Sequence, residues 1–221
     1  MGESFRCALV TWPQIEAWAA DVVHKLEKDG FAPQVIIGMS RGGIVPSRLI
    51  ADHLVIKALY TLKTEHWGLT ATPDGKARLA QGLQADIKGK NVLVVDDITD
   101  TGQSLVLARD HVKSLGPGAM KTATLIHIAH SVITPDYYAK YVEKDQWTWF
   151  IFPWNVREDL RNIVPKALDE PASLGELRSA LKKRFSIEPP EELLSEILAA
   201  CVRAGTVRLA KGKFQATAPS K

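Results

Sequence analysis

The order of segments along the chain predicts an α/β fold. A mostly parallel sheet should occupy residues 1–164, and a small winged-helix-like C-terminal domain should occupy 165–221. Three observations carry this expectation. Short apolar runs alternate with stretches of helical spacing, the pattern of a sheet covered on both faces. Glycine-rich or acidic turns follow two of those runs, where function gathers in open parallel sheets. From Pro165 the pattern changes to two helices and a hairpin.

The elements follow in order. Ile15, Trp18, Ala19, Val22, Val23 and Leu26 lie at helical spacing, so 13–29 reads as an amphipathic helix ended by Gly30. Gln34 to Gly38 reads as a buried strand. Met39 to Gly43 is a turn, and Ile44 to Leu54 a helix with Pro46 in its first turn. Ala58 to Lys63 is a strand, and 64–82 a long polar loop. Asn91 to Val95 is the clearest buried strand. Residues 102–115 form a helix stopped by Gly116-Pro117-Gly118. Lys121 to Ile128 and Trp147 to Phe152 are strands, and Pro153 breaks the second. In the tail, Leu174 to Phe185 is a helix capped by Ser173, and Pro190 to Ala204 is a second, with Gly205 past its end. Val207–Leu209 and Lys213–Gln215 flank an Ala210-Lys211-Gly212 turn.

Composition narrows the class. The 221 residues hold 28 basic and 25 acidic side chains, a formal charge of +3. Residues 1–164 carry 18 of each sign, while 165–221 carry 10 basic and 7 acidic, so the whole excess lies in the tail. That balance excludes a polybasic protein. With 46% hydrophobic and 24% charged residues the chain reads as globular. No apolar run approaches the roughly 18 residues of a membrane span. Met1 to Val10 lacks the pattern of a secretory leader. Cys7 and Cys201 make neither a metal spacing nor a disulfide framework. A cytoplasmic setting without membrane contact is the expectation.

The segment Val92 to Leu105 (VLVVDDITDTGQSL) carries the chemistry. A buried strand delivers Asp96 and Asp97, and Asp100 follows in the turn. Thr101, Gly102, Gln103 and Ser104 then open a helix. Successive N–H groups at a helix N-terminus, with two hydroxyls, form an anion cradle. Carboxylates beside a phosphate cradle make sense when the phosphate is carried on a sugar. Asp96 and Asp97 would accept hydrogen bonds from hydroxyls or hold Mg²⁺ through water. The bland alternative, an Asp cap and a Thr-Gly turn, explains one acid but not three in five residues.

This stretch resembles the phosphoribosyl-pyrophosphate (PRPP) motif of type I phosphoribosyltransferases. Those enzymes displace pyrophosphate from C1 of PRPP with a nitrogen base. The resemblance implies that Asp96 and Asp97 contact the ribose hydroxyls and that Asp100 to Ser104 wrap the 5-phosphate. It also implies Mg²⁺ as cofactor, a homodimer, and Asp100 as acceptor of the proton from purine N7. Gly38 to Gly43 (GMSRGG) is similar to the family's pyrophosphate loop, with Ser40, Arg41, Gly42 and Gly43 as contacts and a non-proline cis peptide at Ser40-Arg41. Residues 63–78 (KTEHWGLTATPDGKAR) are similar to the hood that closes over PRPP, where water exclusion protects an oxocarbenium-like transition state. Lys63, Lys76 and Arg78 would reach pyrophosphate oxygens, although a surface loop with incidental charges reads the same way. Asp100, Arg41 and Lys76 are the catalytic residues so implied. The wording of this loop is similar to the archaeal-type purine subgroup, close to xanthine-guanine and hypoxanthine enzymes.

Base recognition is expected over the last strands. A tryptophan four residues before Pro-Trp matches the subgroup, so Trp149 should stack on the purine, with Trp154 beside it; alternation puts Trp147 on the face of Trp149. Core packing is the competing account of each. The sequence departs from oxopurine members at one point. They carry a lysine on the preceding strand, and here Ile128 stands at that position. His127 and His130 are the nearest polar substitutes, and His130 is the candidate base contact. Adenine or a non-purine acceptor stays open beside guanine and hypoxanthine.

The tail leaves further readings open. Arg203, Arg208, Lys211 and Lys213 surround the expected wing and would suit nucleic-acid phosphates, which would make the chain a PRPP- or nucleotide-sensing transcriptional regulator. Alternatively Leu177, Leu181, Leu193, Leu194, Ile197 and Leu198 simply form the core of a packing or dimerisation appendage.

Overall fold

The computed structural model describes residues 3–66 and 77–217. Among these, ten strands and six α-helices form two compact units. One comprises 13–147, the other 1–12 together with 148–221.

The first unit holds a six-stranded sheet in the order β4-β3-β2-β5-β6-β7. Its strands are β2 (Val35–Ser40), β3 (Leu59–His66), β4 (Ala77–Gln81), β5 (Asn91–Thr99), β6 (Ala119–Ile128) and β7 (Tyr137–Val142). All neighbours are parallel except β3 and β4, which form an antiparallel edge. Val35, Ile36, Ile37 and Val92 to Val95 are all at most 1% exposed, as strands covered on both faces must be. Alternation sorts their partners. Val35, Ile37, Met39, Val92 and Val94 pack with Leu105, Ala108 and Val112 of α3 (Gln103–Ser114). Gly38 points the other way, so close to Ser47 of α2 (Ile44–His53) that a side chain at 38 would collide with it. Helices therefore cover both faces, as the alternation of segments predicts. Helix α1 (Trp12–Asp29) buries Ile15, Ala19, Val22, Val23 and Leu26, the residues at helical spacing.

Several boundaries differ from expectation. The polar stretch 64–82 is not loop throughout, since Thr64 to His66 extend β3 and 77–81 form β4. The strand expected over 147–152 shrinks to β8 (Trp149–Ile151). Trp147 lies outside it, so alternation does not put Trp147 on the face of Trp149. β8 also lies outside the large sheet, pairing in parallel with β1 (Cys7–Leu9).

In the second unit, β1 and β8 are joined by α4 (Val156–Lys166), α5 (Leu174–Phe185) and α6 (Glu191–Arg203), with the hairpin β9 (Val207–Ala210) and β10 (Lys213–Ala216). Ser173 caps α5 in a reciprocal capping box with Glu176. The units part at Trp12/Pro13 and Trp147/Thr148 rather than at Pro165, which lies in the last turn of α4. One apolar cluster explains this. Cys7 and Ile151 share it with Leu160, Ile163 and Val164 of α4, Leu177, Leu181 and Phe185 of α5, and Leu194, Ile197, Leu198 and Cys201 of α6. Burial pushes the Cys7 thiol up to about 12, helped by nearby Asp159. Among the described residues no helix is long and apolar enough to cross a membrane.

Candidate active site

The chain passes from β2 to β3 on one side and, later, from β5 to β6 on the other. Between β2 and β5 the strand order therefore reverses direction, and the carboxyl ends of that pair form the crevice in which such sheets bind ligands. A glycine-bearing turn follows each of these two strands. Gly38 of β2 is in register with Val95 of β5, so the turn at 41–43 lies beside Asp96 and Asp97.

The contact is intimate. A Cβ added at Gly42 would fall on the Asp97 carboxyl group, and one at Gly43 would strike the Val95 carbonyl and Asp96 Cα. Only glycine lets the 41–43 turn approach β5 this closely. The Gly43 N–H donates to the Met39 carbonyl at 2.8 Å, which folds the turn back on its own strand. The peptide between Ser40 and Arg41 is cis, as the family resemblance implies. Arg41 is exposed, and Ser40 is half-buried.

The two adjacent acids are unequal. Asp97 is 7% exposed. Its backbone N–H donates to Asp96 Oδ1 at 3.0 Å. Burial pushes the Asp96 carboxyl well above the usual carboxylate range, and the Asp97 charge pushes it further; the amides of Asp97 and Gly43 oppose both.

The second turn has the expected form. Gly102 takes φ +82° and precedes the first residue of α3. The helix start leaves N–H groups without intrahelical acceptors, directed at the space beyond residues 100–104. Thr101 and Gln103 are exposed, and Asp100 and Ser104 are half-buried. Asp100, Thr101, Gly102, Gln103 and Ser104 thus follow one another through the turn from β5 into α3.

At the edge of the sheet, Lys63 continues β3 in register with Ser40. Lys63 and Arg78 both bind Glu65, with Lys63 Nζ 2.5 Å and Arg78 Nη2 3.0 Å from its oxygens. The hydrogen bonds from Lys63 and then Arg78 hold the Glu65 carboxyl below its usual range. Sequence reading passed over Glu65. Its signal was the two-residue step from Lys63, which puts both on one face of a strand. Lys76 lies outside the described residues.

The base-side candidates separate. His127 is 4% exposed, ringed by Tyr138 and Tyr141 with centroids 5.1 and 5.7 Å away, and burial lowers its basicity. His130 sits instead beside Asp100, Nε2 2.7 Å from Oδ1. Ile128, the position that the family resemblance matches to a lysine of oxopurine members, is buried. Trp149 and Trp154 belong to the other unit. Trp149 packs against its apolar cluster, and Trp154 stacks on Phe152 at 4.9 Å and tilts against Trp12 at 6.1 Å. Among the described residues no three His, Cys, Asp or Glu side chains converge to hold a metal ion alone.

The chain is similar to proteins of known activity. The chain is 29% identical over 154 residues to the xanthine-guanine phosphoribosyltransferase of Cereibacter sphaeroides (strain ATCC 17025 / ATH 2.4.3), covering 66% of this chain and 86% of that protein. It is 28% identical over 157 residues to the enzyme of the same name from Ruegeria sp. (strain TM1040), covering 66% and 84%. The crystal structure of a purine phosphoribosyltransferase from Pyrococcus horikoshii Ot3 superposes with a TM-score of 0.59 at 30% identity, over 68% of this chain and 94% of that one. The family model for the phosphoribosyl transferase domain matches residues 8–161. That match takes in β2, β5 and both turns of the crevice, and on it the chain belongs to the phosphoribosyl transferase domain family.

Proposed function

We propose that this protein transfers the phosphoribosyl group of PRPP to a purine base and releases pyrophosphate. The observation that carries the reading is the seating of Gly42 against Asp97. It joins an anion-binding turn and a sugar-binding carboxylate pair in one crevice. Ser40, Arg41, Gly42 and Gly43 hold the pyrophosphate, with Lys63 and Arg78 approaching from the β3–β4 edge once released from Glu65. Asp96 and Asp97 accept from the ribose hydroxyls, and Asp100 to Ser104 bind the 5-phosphate at the start of α3. In the reaction the C1–oxygen bond to pyrophosphate breaks with its electron pair on the leaving group. The purine N9 lone pair forms the new bond to C1, and the proton on N7 passes to Asp100.

The residues fit a divalent cation held mainly by substrate oxygens. Asp96 and Asp97 repel one another, a repulsion that a dication would relieve, yet they form no closed ligand set of their own. When bound, Mg²⁺ supplies charge neutralisation for the leaving pyrophosphate. Arg41 adds a fixed cation from this chain. The family resemblance further implies assembly as a homodimer. Magnesium with PRPP and a panel of xanthine, guanine, hypoxanthine and adenine tests the reading. Release of pyrophosphate with at least one base is expected, and none with any would refute it.

For the tail we propose a winged-helix-like arrangement. α4, a bridge from Ala172 to Phe214 of β10, α5, α6 and the β9–β10 hairpin follow in the order that such a unit requires. Its charge does not favour the regulator reading. On the exposed face of α6, Glu191 and Glu196 hold Arg178 and Arg157 at 3.2 and 2.8 Å beside a further acid, Glu192, and Arg208 is engaged by Gln215 at 2.6 and 3.0 Å.

A further inference from the structure

The turn after β6, residues 129–133, is braced against the ribose-phosphate turn. The Val132 N–H donates to the Thr101 carbonyl at 3.0 Å. Ser131 Oγ donates to the Ile133 carbonyl at 2.8 Å and accepts from the Ile133 N–H at 3.3 Å, which holds the turn in shape. Gly102 lies directly under it, with no room for a Cβ beside Ser131 Oγ and Ile133. His130 stands between these fixed points, and its Nε2 is 2.7 Å from Asp100 Oδ1. Oδ1 is buried and receives no aligned hydrogen bond, although the Asp100 side chain as a whole is 39% exposed. One carboxylate oxygen is thus enclosed beneath an imidazole while the carboxyl group keeps an open side.

From this geometry we propose that His130 is a positioning residue for Asp100. It fixes Oδ1 and leaves the other oxygen to take the proton from the base. A carboxylate accepts hydrogen bonds on both oxygens. Enclosed at one beneath the imidazole, with Nε2 2.7 Å away, it loses the rotation that would misdirect the other. A base oriented by a third group is a recurrent arrangement in proton-transfer sites. The proposal rests on the phosphoribosyltransferase reading, and it gives His130 work on Asp100 rather than contact with the purine.

Steady-state kinetics with PRPP and the preferred base separate these roles. His130→Ala should lower kcat by about 10- to 100-fold, part of the roughly 10²–10⁴ that a positioned proton acceptor contributes, with KM for the base changed less than about twofold. His130→Gln, which keeps an N–H donor at similar reach, should recover at least about half of that loss on a logarithmic scale. In an Asp100→Asn background His130→Ala should cost almost nothing further. A raised KM for the base with kcat intact, or losses that multiply in the double variant, overturns the proposal. If the wild-type chain turns over no base, the reading of the site has failed. The pairing is then tested by the ¹⁵N shifts of the His130 imidazole, which Asp100→Asn must move; unmoved shifts overturn it. Should His130→Ala not fold, the Gln variant and the same shifts decide.

Discussion

The carboxyl group of Asp97 fills the space that a side chain at residue 42 would need. In the proposed PRPP site this relation ties the 41–43 turn sterically to the stretch of β5 that carries Asp96 and Asp97, since neither can move toward the other without a clash. Gly42→Ala should therefore disturb the 41–43 turn and the Asp97 carboxylate at once. A misplacement of about 1 Å in a positioned site costs on the order of 10²-fold in rate. We expect kcat/KM for PRPP to fall at least that far, with far-UV circular dichroism unchanged. Retention of more than about a tenth of the activity would show that the 41–43 turn and Asp97 are less tightly coupled than their packing implies.

Asp96 makes a prediction of opposite sign for stability and activity. Its carboxyl is raised by burial and then by Asp97, so its ionised form is disfavoured in the folded protein. The ionised group costs stability once pH exceeds the usual carboxylate range, and the cost grows until pH passes the raised folded value. Asp96→Asn removes the charge. Its melting temperature should exceed that of the wild type at pH 7, and the two should converge as pH falls below the usual carboxylate range. Activity should fall in the same variant. A melting temperature below wild type at pH 7 would mean that the hydrogen bonds to Asp96 outweigh its burial.

Local patterns made the centre of the site legible. The apolar run ending in Asp96-Asp97 and the glycine turn after Ser40 each announce a strand, a turn and a helix within about a dozen residues. What stayed hidden depends on distant partners. β1 is three residues long and exists because Cys7 to Leu9 pair with Trp149 to Ile151, so no local signal marks it. The same pairing takes β8 out of the large sheet. Helix α4 did have a signal, with Val156, Leu160, Ile163 and Val164 at helical spacing, but Pro153 before it and Pro165 in its last turn hid it. His130 was readable as a polar residue near the base strand. Its aim at Asp100 depends on the brace between Val132 and Thr101, which joins two segments thirty residues apart.

The capping box of α5 offers a test confined to the second unit. Ser173 Oγ accepts the Glu176 N–H at 3.3 Å, and Glu176 Oε2 accepts the Ser173 N–H at 2.6 Å. Ser173→Ala removes the first bond, a loss of about 1 kcal/mol for an N-cap. In a chain of this size that is a fall of roughly 2–4 °C in melting temperature. Turnover at 25 °C should be unchanged. A drop in kcat without a drop in melting temperature would contradict a purely structural role for the cap.

Deleting 166–221 tests what the tail is for. An appendage that only regulates could be removed without harm to the rest. Here the tail supplies Leu177, Leu181, Phe185, Leu194, Ile197, Leu198 and Cys201 to the cluster that also buries Cys7, Ile151, Leu160 and Val164. Phe185 is wholly buried, edge-on to Phe5 at 5.1 Å. Removing one such ring alone costs about 3–5 kcal/mol, so losing two helices strips a whole face from β1, β8 and α4. The truncated chain should be insoluble or should bind a hydrophobic dye with no cooperative melt. Phe185→Ala should lower the melting temperature of the full chain by about 6 °C or more. A soluble 1–165 fragment that melts cooperatively and turns over PRPP would refute this and return the tail to the status of a separable module.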